Sequence, residues 1–288
     1  MSITTKLLIL NGLTHAALLF VMGSGLTLAF GLMRVANLAH GAFYLLGGYI
    51  GLSIFDSTEN WYLALLGGAL AIAMLGLFFE RVLLDRVRGQ PLPETLLTVA
   101  LSIIIADLAL AKWGGFAQSL RAPAALNPRV SLDFIGIPSY PGFRLVILGI
   151  GVIIGFLLYW LLYRTKIGAA VRAGVDDRET ASALGIDIER IFSLVFVLAA
   201  FLAGLAGVIG TTFLSMQPGA DGQILILSLV VVVLGGMGSL GGAVLGALIT
   251  GLLLSFGRAY YPEISYFLVF GPMALMLAVR PRGLFGRA

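Results

Sequence analysis

Nine stretches of this chain are apolar for close to the length that a helix needs to cross a bilayer, which is roughly 20 residues. They fall at about 7–32, 41–55, 61–80, 94–111, 144–163, 191–213, 223–238, 241–257 and 265–280. In lipid every backbone N–H and C=O must find its partner within the protein, and runs of this length do so as helices. The expected fold is therefore an all-α polytopic integral membrane protein of about 8–9 transmembrane helices, with residues 1–288 forming one domain. The second and seventh runs are short enough to be half-spans packed inside the protein, so the count is good to one either way.

Composition agrees with a membrane solvent: 59% of the 288 residues are hydrophobic and 11% charged, whereas a soluble domain carries roughly 25% charged residues. There is no cysteine and only two histidines, which excludes a disulfide framework and a thiolate or histidine metal cluster. The net charge of +4 does not imply nucleic acid, because the basic residues sit at the ends of apolar runs, where membrane anchoring accounts for them. Lys6 precedes a long apolar stretch with no small-residue cleavage site after it, so the first run reads as a retained span. Alternation puts residues 33–40, 80–93, 164–190 and 280–288 on one side with 12 basic residues, against 6 on the other. The positive-inside rule then places the N-terminus outside and the C-terminus in the cytoplasm.

Two polar segments break the pattern at length. In the island from Arg164 to Arg190, Asp176 and Glu179 stand in capping-box spacing, good helix formers follow, and Gly185 supplies a left-handed stop. A short helix over Asp177–Leu184 is expected, with Ala181 and Leu184 on one side. A cap, a stop and a smooth face favour a docking helix over a solvated connector. The other segment, about 112–143, is external on this topology. Pro123, Pro128, Pro138 and Pro141 interrupt any helix there, and it reads as a lid or receptor-facing loop, or else as a tolerated connector.

Shorter breaks separate other runs. Arg34 to Gly41 sets Asn37 and His40 between apolar stretches, and polar groups at membrane depth are costly unless they line a cavity or pair within the protein. Both are candidates for a translocation pathway, the alternative being a cytoplasmic turn anchored by Arg34. Met216 to Gln223 offers Gln217 and Asp221 on the same logic, although Asp221 also fits an ordinary external loop. The stretch from Gly25 can be laid over that from Ala206, each an apolar run, a polar break with glycine and another apolar run. Such a match implies an inverted internal repeat. Gly235, Gly236 and Gly238 belong to a glycine-dense path for which close helix packing is the default and a gating hinge the alternative. Glu80 with Arg81, and Asp85 with Arg86 and Arg88, read as interfacial charges at a span end.

No GxxxxGK[ST] phosphate loop, HExxH or GxSxG occurs, and Asp107 and His15 lie in different spans with no partner readable from spacing. No enzymatic site and no bound cofactor are expected.

Four motifs, in order along nearly the whole chain, carry a resemblance. They are Arg34-Val-Ala-Asn37-Leu-Ala-His40-Gly41; Gly168-Ala-Ala-Val-Arg172-Ala followed by Asp176, Ala181 and Leu184-Gly185-Ile186-Asp187; Val233-Leu-Gly235-Gly236-Met-Gly238-Ser239-Leu-Gly-Gly242; and Arg280-Pro-Arg-Gly283-Leu-Phe285-Gly. Together they resemble the membrane permease subunits of branched-chain amino acid ABC importers. The resemblance implies import of branched-chain or related amino acids across a bacterial inner membrane, with lipid around the chain. The implied partners are a second permease subunit, an extracytoplasmic solute-binding protein and two ABC ATPase subunits that use ATP. It makes the island a coupling element, with Arg172, Asp176, Asp177, Glu179, Ala181, Leu184 and Gly185 facing the ATPases. The alternative is a secondary transporter or channel for a small polar solute, which would need ionisable residues within spans; apart from Asp107 few are present.

Overall fold

A computed structural model describes residues 2–33, 37–280 and 282–286, the side chains of residues 32 and 33 excepted. Arg34 in the first break and Arg287 near the C-terminus lie outside the described residues. Eleven α-helices follow one another: α1 (Ile3–Met33), α2 (His40–Thr58), α3 (Trp61–Val82), α4 (Pro91–Trp113), α5 (Gly142–Arg164), α6 (Lys166–Asp176), α7 (Arg178–Ala183), α8 (Ile188–Phe213), α9 (Ala220–Gly235), α10 (Leu240–Tyr260) and α11 (Ser265–Val279). Local chemistry sets several of their starts. Asn60 Oδ1 accepts from the N–H groups of Tyr62 and Leu63 at 3.0 and 3.2 Å, Ser239 Oγ from that of Gly242 at 3.1 Å, and α4 opens on Pro91.

Among the described residues seven stretches are long and apolar enough to cross a membrane: α1, α3, α4, α5, α8, α10, and α11 together with the turn at Pro262–Ile264 that precedes it. Of the four helices left out, α2 and α9 coincide with the second and seventh apolar runs. Neither has a side-chain N-cap, and both start deep inside the bundle. Helices α1 and α8 run antiparallel, with His15 beside Phe213 and Gly25 against Ala199. Beside the middle of α1, His40 Nε2 lies 3.0 Å from the Met22 carbonyl oxygen, and Gly41 abuts the first turn of α9 at Asp221. From that meeting point α2 runs toward the end where Trp113 Nε1 donates to Ser53 Oγ at 2.8 Å, and α9 runs toward the other, where Gly238 meets Gly31. The two breaks are thus re-entrant.

The repeat is real. Helix α1 packs on α10 as α8 packs on α3; α2 packs on α8 as α9 packs on α1; α2 adjoins α3 and α4 as α9 adjoins α10 and α11. Near the axis, Gly23 faces Val231 and Ser228 while Gly204 faces Gly47. Because α1 and α8 are antiparallel, the halves are inverted. Small residues at these crossings let backbones approach, which is how helices associate where lipid tails are as apolar as leucine.

The segment at 112–143 is more ordered than its prolines suggested. It holds a hairpin of β1 (Arg129–Leu132) and β2 (Ile137–Pro141), antiparallel, with Arg129 opposite Pro141. Gln118 and Met216 exchange backbone hydrogen bonds at 2.8 and 2.7 Å. Leu132, Ile137 and Tyr140 bury themselves against Leu7 and Leu10 of α1, and Tyr140 Oη donates to Asn11 at 3.2 Å. The hairpin and the start of α1 therefore share one end of the bundle. Since α5 spans away from the hairpin, α6 and α7 lie at the other end, and so do residues 282–286, whose Leu284 and Phe285 N–H groups donate to the carbonyls of Leu234 and Gly235.

Candidate functional site

The island folds as an elbow of two helices. Thr165 Oγ1 accepts from the Gly168 N–H at 3.0 Å and opens α6, a helix in addition to the single one expected over Asp177–Leu184. Asp176 is the last residue of α6, so the cap of α7 is Asp177 instead: its Oδ1 accepts from the N–H groups of Glu179 and Thr180, each at 3.0 Å, and its Oδ2 from Thr180 Oγ1 at 2.6 Å. Asp176 and Glu179 are both exposed, with Glu179 in the first helical turn, where a negative charge suits the helix dipole. Gly185 does supply the left-handed stop, at φ +85°.

Ala181 and Leu184 do not share a side. Ala181 is 3% exposed, whereas Leu184 is 78% exposed. Positions i and i+3 face together only while a helix continues, and Leu184 is already the C-cap, beyond the last helical residue. The outward surface of the elbow is made by Leu184 with Arg178, Glu179, Ser182 and Ala183, the last four lining a shallow concavity. Arg172, half-buried, lays its guanidinium 5.2 Å from the centre of the Tyr163 ring and lines a crevice of about 530 Å³ that also touches Gly31 and Gly238.

The described part of the first break, from Asn37 on, is closed in. Asn37 is 1% exposed and His40 fully buried. Asn37 Oδ1 accepts from the Ala39 N–H at 3.1 Å, and the Leu38 N–H donates to Thr98 Oγ1 at 3.3 Å. Close by, Glu80 pairs with Arg88 instead of Arg81 and accepts from Ser193 Oγ at 2.8 Å, while Arg88 stacks 4.4 Å from the Phe192 ring centre. Glu80 is 1% exposed, so this is a buried ion pair joining the α3–α4 turn to the first turns of α8, not a set of interfacial charges. Sequence proximity had suggested Arg81; the 3₁₀ turn at Leu84–Val87 folds Arg88 back instead.

The second break is open. Gln217 is exposed and lines a cavity of about 240 Å³ together with His15, Tyr44, Gln223 and Arg258. The structure therefore separates Asn37 and His40 from Gln217 instead of joining them in one site. His15, for which spacing offers no partner, and Arg258, one of the basic residues near a span end, are brought together with Gln217; single polar residues within or ending apolar runs are the available signal. Asp107 stands exposed on α4.

The glycines after α9 pack and turn. Gly235 and Gly242 meet backbone to backbone, Gly236 and Gly238 take φ values of +104° and +75°, and Gly236 abuts Gly283 and Gly286 of the C-terminal segment. A side chain would be strained at the two positive-φ positions and would clash at Gly235.

Re-entrant helices in inverted repeats, set inside a bundle of membrane-spanning helices, define a polytopic membrane transport protein. More particularly, residues 8–278 match the family described as branched-chain amino acid transport system / permease component, and the chain belongs to that family. It is similar to the high-affinity branched-chain amino acid transport system permease protein BraD of Pseudomonas aeruginosa, 28% identical over 97% of this chain and 95% of the relative. The LivH permease protein of Escherichia coli is 28% identical over 96% and 94%, and the probable LivH of Methanocaldococcus jannaschii 27% identical over 98% and 92%. Among solved structures, PsaBC from Streptococcus pneumoniae in complex with Fab shares the fold at a TM-score of 0.50 and 13% identity, covering 96% of this chain and 92% of that one. The chain is a transport permease component and not an enzyme.

Proposed function

We propose that this chain is one permease half of an ATP-driven importer for branched-chain or related amino acids in a bacterial inner membrane. It pairs with a second permease subunit, receives solute from an extracytoplasmic solute-binding protein at the hairpin end, and is driven by two ABC ATPase subunits at the elbow end. The family match over residues 8–278 carries the reading. In this assembly Leu184 is the docking contact and Asp177 and Gly185 shape the elbow; Gln217 lines the entry, and Asn37 and His40 form the inner seal. ATP is used by the partners. The basic bias supports the hairpin outside and the elbow in the cytoplasm.

Copurification tests the docking. Leu184→Arg puts a charge on an exposed apolar contact, so the permease should insert normally while the ATPase subunits it retains fall at least about tenfold, a loss of ~1.4 kcal/mol. Ala125→Arg, on the exposed external segment, should retain them. Equal retention by wild type and Leu184→Arg removes the elbow from the coupling role. Orientation has its own test, helped by the absence of native cysteine: Ser182→Cys should react with an impermeant thiol reagent only in inside-out vesicles and Ala125→Cys only in intact cells, and the reverse pattern would overturn the topology.

A further inference from the structure

The cavity at the second break has a composition that packing does not require. Its walls carry Arg258 and His15, the amides of Gln217 and Gln223, and a floor of leucines that includes Leu18 and Leu254, with no aspartate or glutamate among the lining residues. Arg258 forms no ion pair among the described residues, and neither glutamine side chain makes a hydrogen bond there. A second cation stands behind the wall: the Arg144 guanidinium lies 5.6 Å from the centre of the Phe213 ring, which in turn sits 5.1 Å from that of His15.

We propose that this cavity is a recognition site for a small solute that carries a carboxylate and an apolar side chain. Arg258 is the partner of the carboxylate, Gln217 and Gln223 supply its flanking hydrogen bonds, and the leucine floor receives the side chain. That the solute is the cargo rests on the importer reading above; the charge and shape preference of the cavity does not. The physical argument is one of complementarity. A guanidinium matches a carboxylate in a charge-assisted, two-pronged geometry, and a wall without acidic groups leaves an entering anion no repulsive contact. A purely cationic solute would meet Arg258 with nothing to offset it. Size does not oppose it, since the cavity of about 240 Å³ is far above the ~10–15 Å³ that a single water needs, so a small solute has room to enter.

This chain has no native cysteine, so an introduced one is read directly once labelling of the unsubstituted complex has been subtracted. In the assembled complex in membranes, Gln223→Cys is labelled in parallel by an anionic sulfonatoethyl and a cationic trimethylammonioethyl methanethiosulfonate. The anionic reagent should react about fivefold or more faster, after correction for its solution reactivity, because a cationic cleft concentrates anions. L-leucine and isocaproate should slow that labelling, while isoamylamine, which keeps the apolar tail and lacks the carboxylate, should not. Adding Arg258→Gln should bring the rate ratio to about one and abolish protection, whereas adding Arg121→Gln should change neither. Equal rates with both reagents, protection by the amine, or a preference that survives Arg258→Gln overturns the carboxylate assignment. Protection by acetate equal to that by isocaproate overturns the role of the leucine floor. The importer reading fails separately: absence of copurifying ATPase subunits with the labelling pattern intact removes the importer and leaves the cavity, while normal copurification with no charge preference removes the cavity alone.

Discussion

The two re-entrant breaks occupy equivalent places in an inverted repeat, yet the described part of the first, from Asn37 on, is closed in and the second is open. At the first, His40 rests on the Met22 carbonyl, Asn37 is 1% exposed, and Thr98 takes up the Leu38 N–H. At the second, Gln217 is exposed on a cavity and Gly222 has nothing within 4 Å of where a side chain would start. An inverted repeat makes the two ends of a bundle chemically similar by default. The difference makes the two breaks unlike: at the hairpin end Gln217, His15 and Arg258 line an open cavity, whereas Asn37 and His40 are buried.

The largest effect that could break this comparison is expected from the glycines that correspond across the repeat. A Cβ on Gly41 would fall within 2.9 Å of the Leu225 Cβ and closer still to the Asp221 carbonyl oxygen, so Gly41→Ala should lose about 1–3 kcal/mol by overpacking. Gly222→Ala, unobstructed and within α9, should gain about 0.5–1 kcal/mol from helix propensity. Thermal unfolding of the detergent-solubilised protein reads both, and shifts of the same sign would mean that the breaks are packed alike. A smaller contrast sharpens the same point. His40→Ala removes a buried ring and its hydrogen bond and should cost about 2 kcal/mol, with transport falling in step with folded protein. Gln217→Ala, at an exposed position, should stay within about 0.5 kcal/mol and show its effect in uptake alone. If His40→Ala keeps full thermal stability and loses uptake, the first break lines a pathway and does not seal one.

Much of the architecture was legible because it follows from solvent. Span lengths, the two short runs and the order of polar breaks are fixed by the need to satisfy backbone in lipid, and the short runs emerged as α2 and α9, beside the seven spans and not among them. The repeat was legible at Gly25 and Ala206 because close crossings demand small residues. What escaped notice depends on a residue's exact turn position. Capping chemistry is sensitive to a single-residue shift, so Asp176 and Asp177 could not be told apart without knowing where α6 ends. The side on which Leu184 lies depended on whether the helix ran one residue further. Arg88 reaching Glu80, and His15 meeting Arg258 from opposite ends of the chain, are tertiary events with no local signature.

One consequence concerns time. The carbonyls that end α9 receive the N–H groups of Leu284 and Phe285, residues that leave the ribosome some 50 positions after α9 itself, several seconds later at typical synthesis rates. Until then the last turn of that helix lacks these partners in a setting where missing ones are costly. The inner end of the second half is therefore completed by residues made after α10 and α11, so the last turn of α9 gains these two partners only once Leu284 and Phe285 have been synthesised.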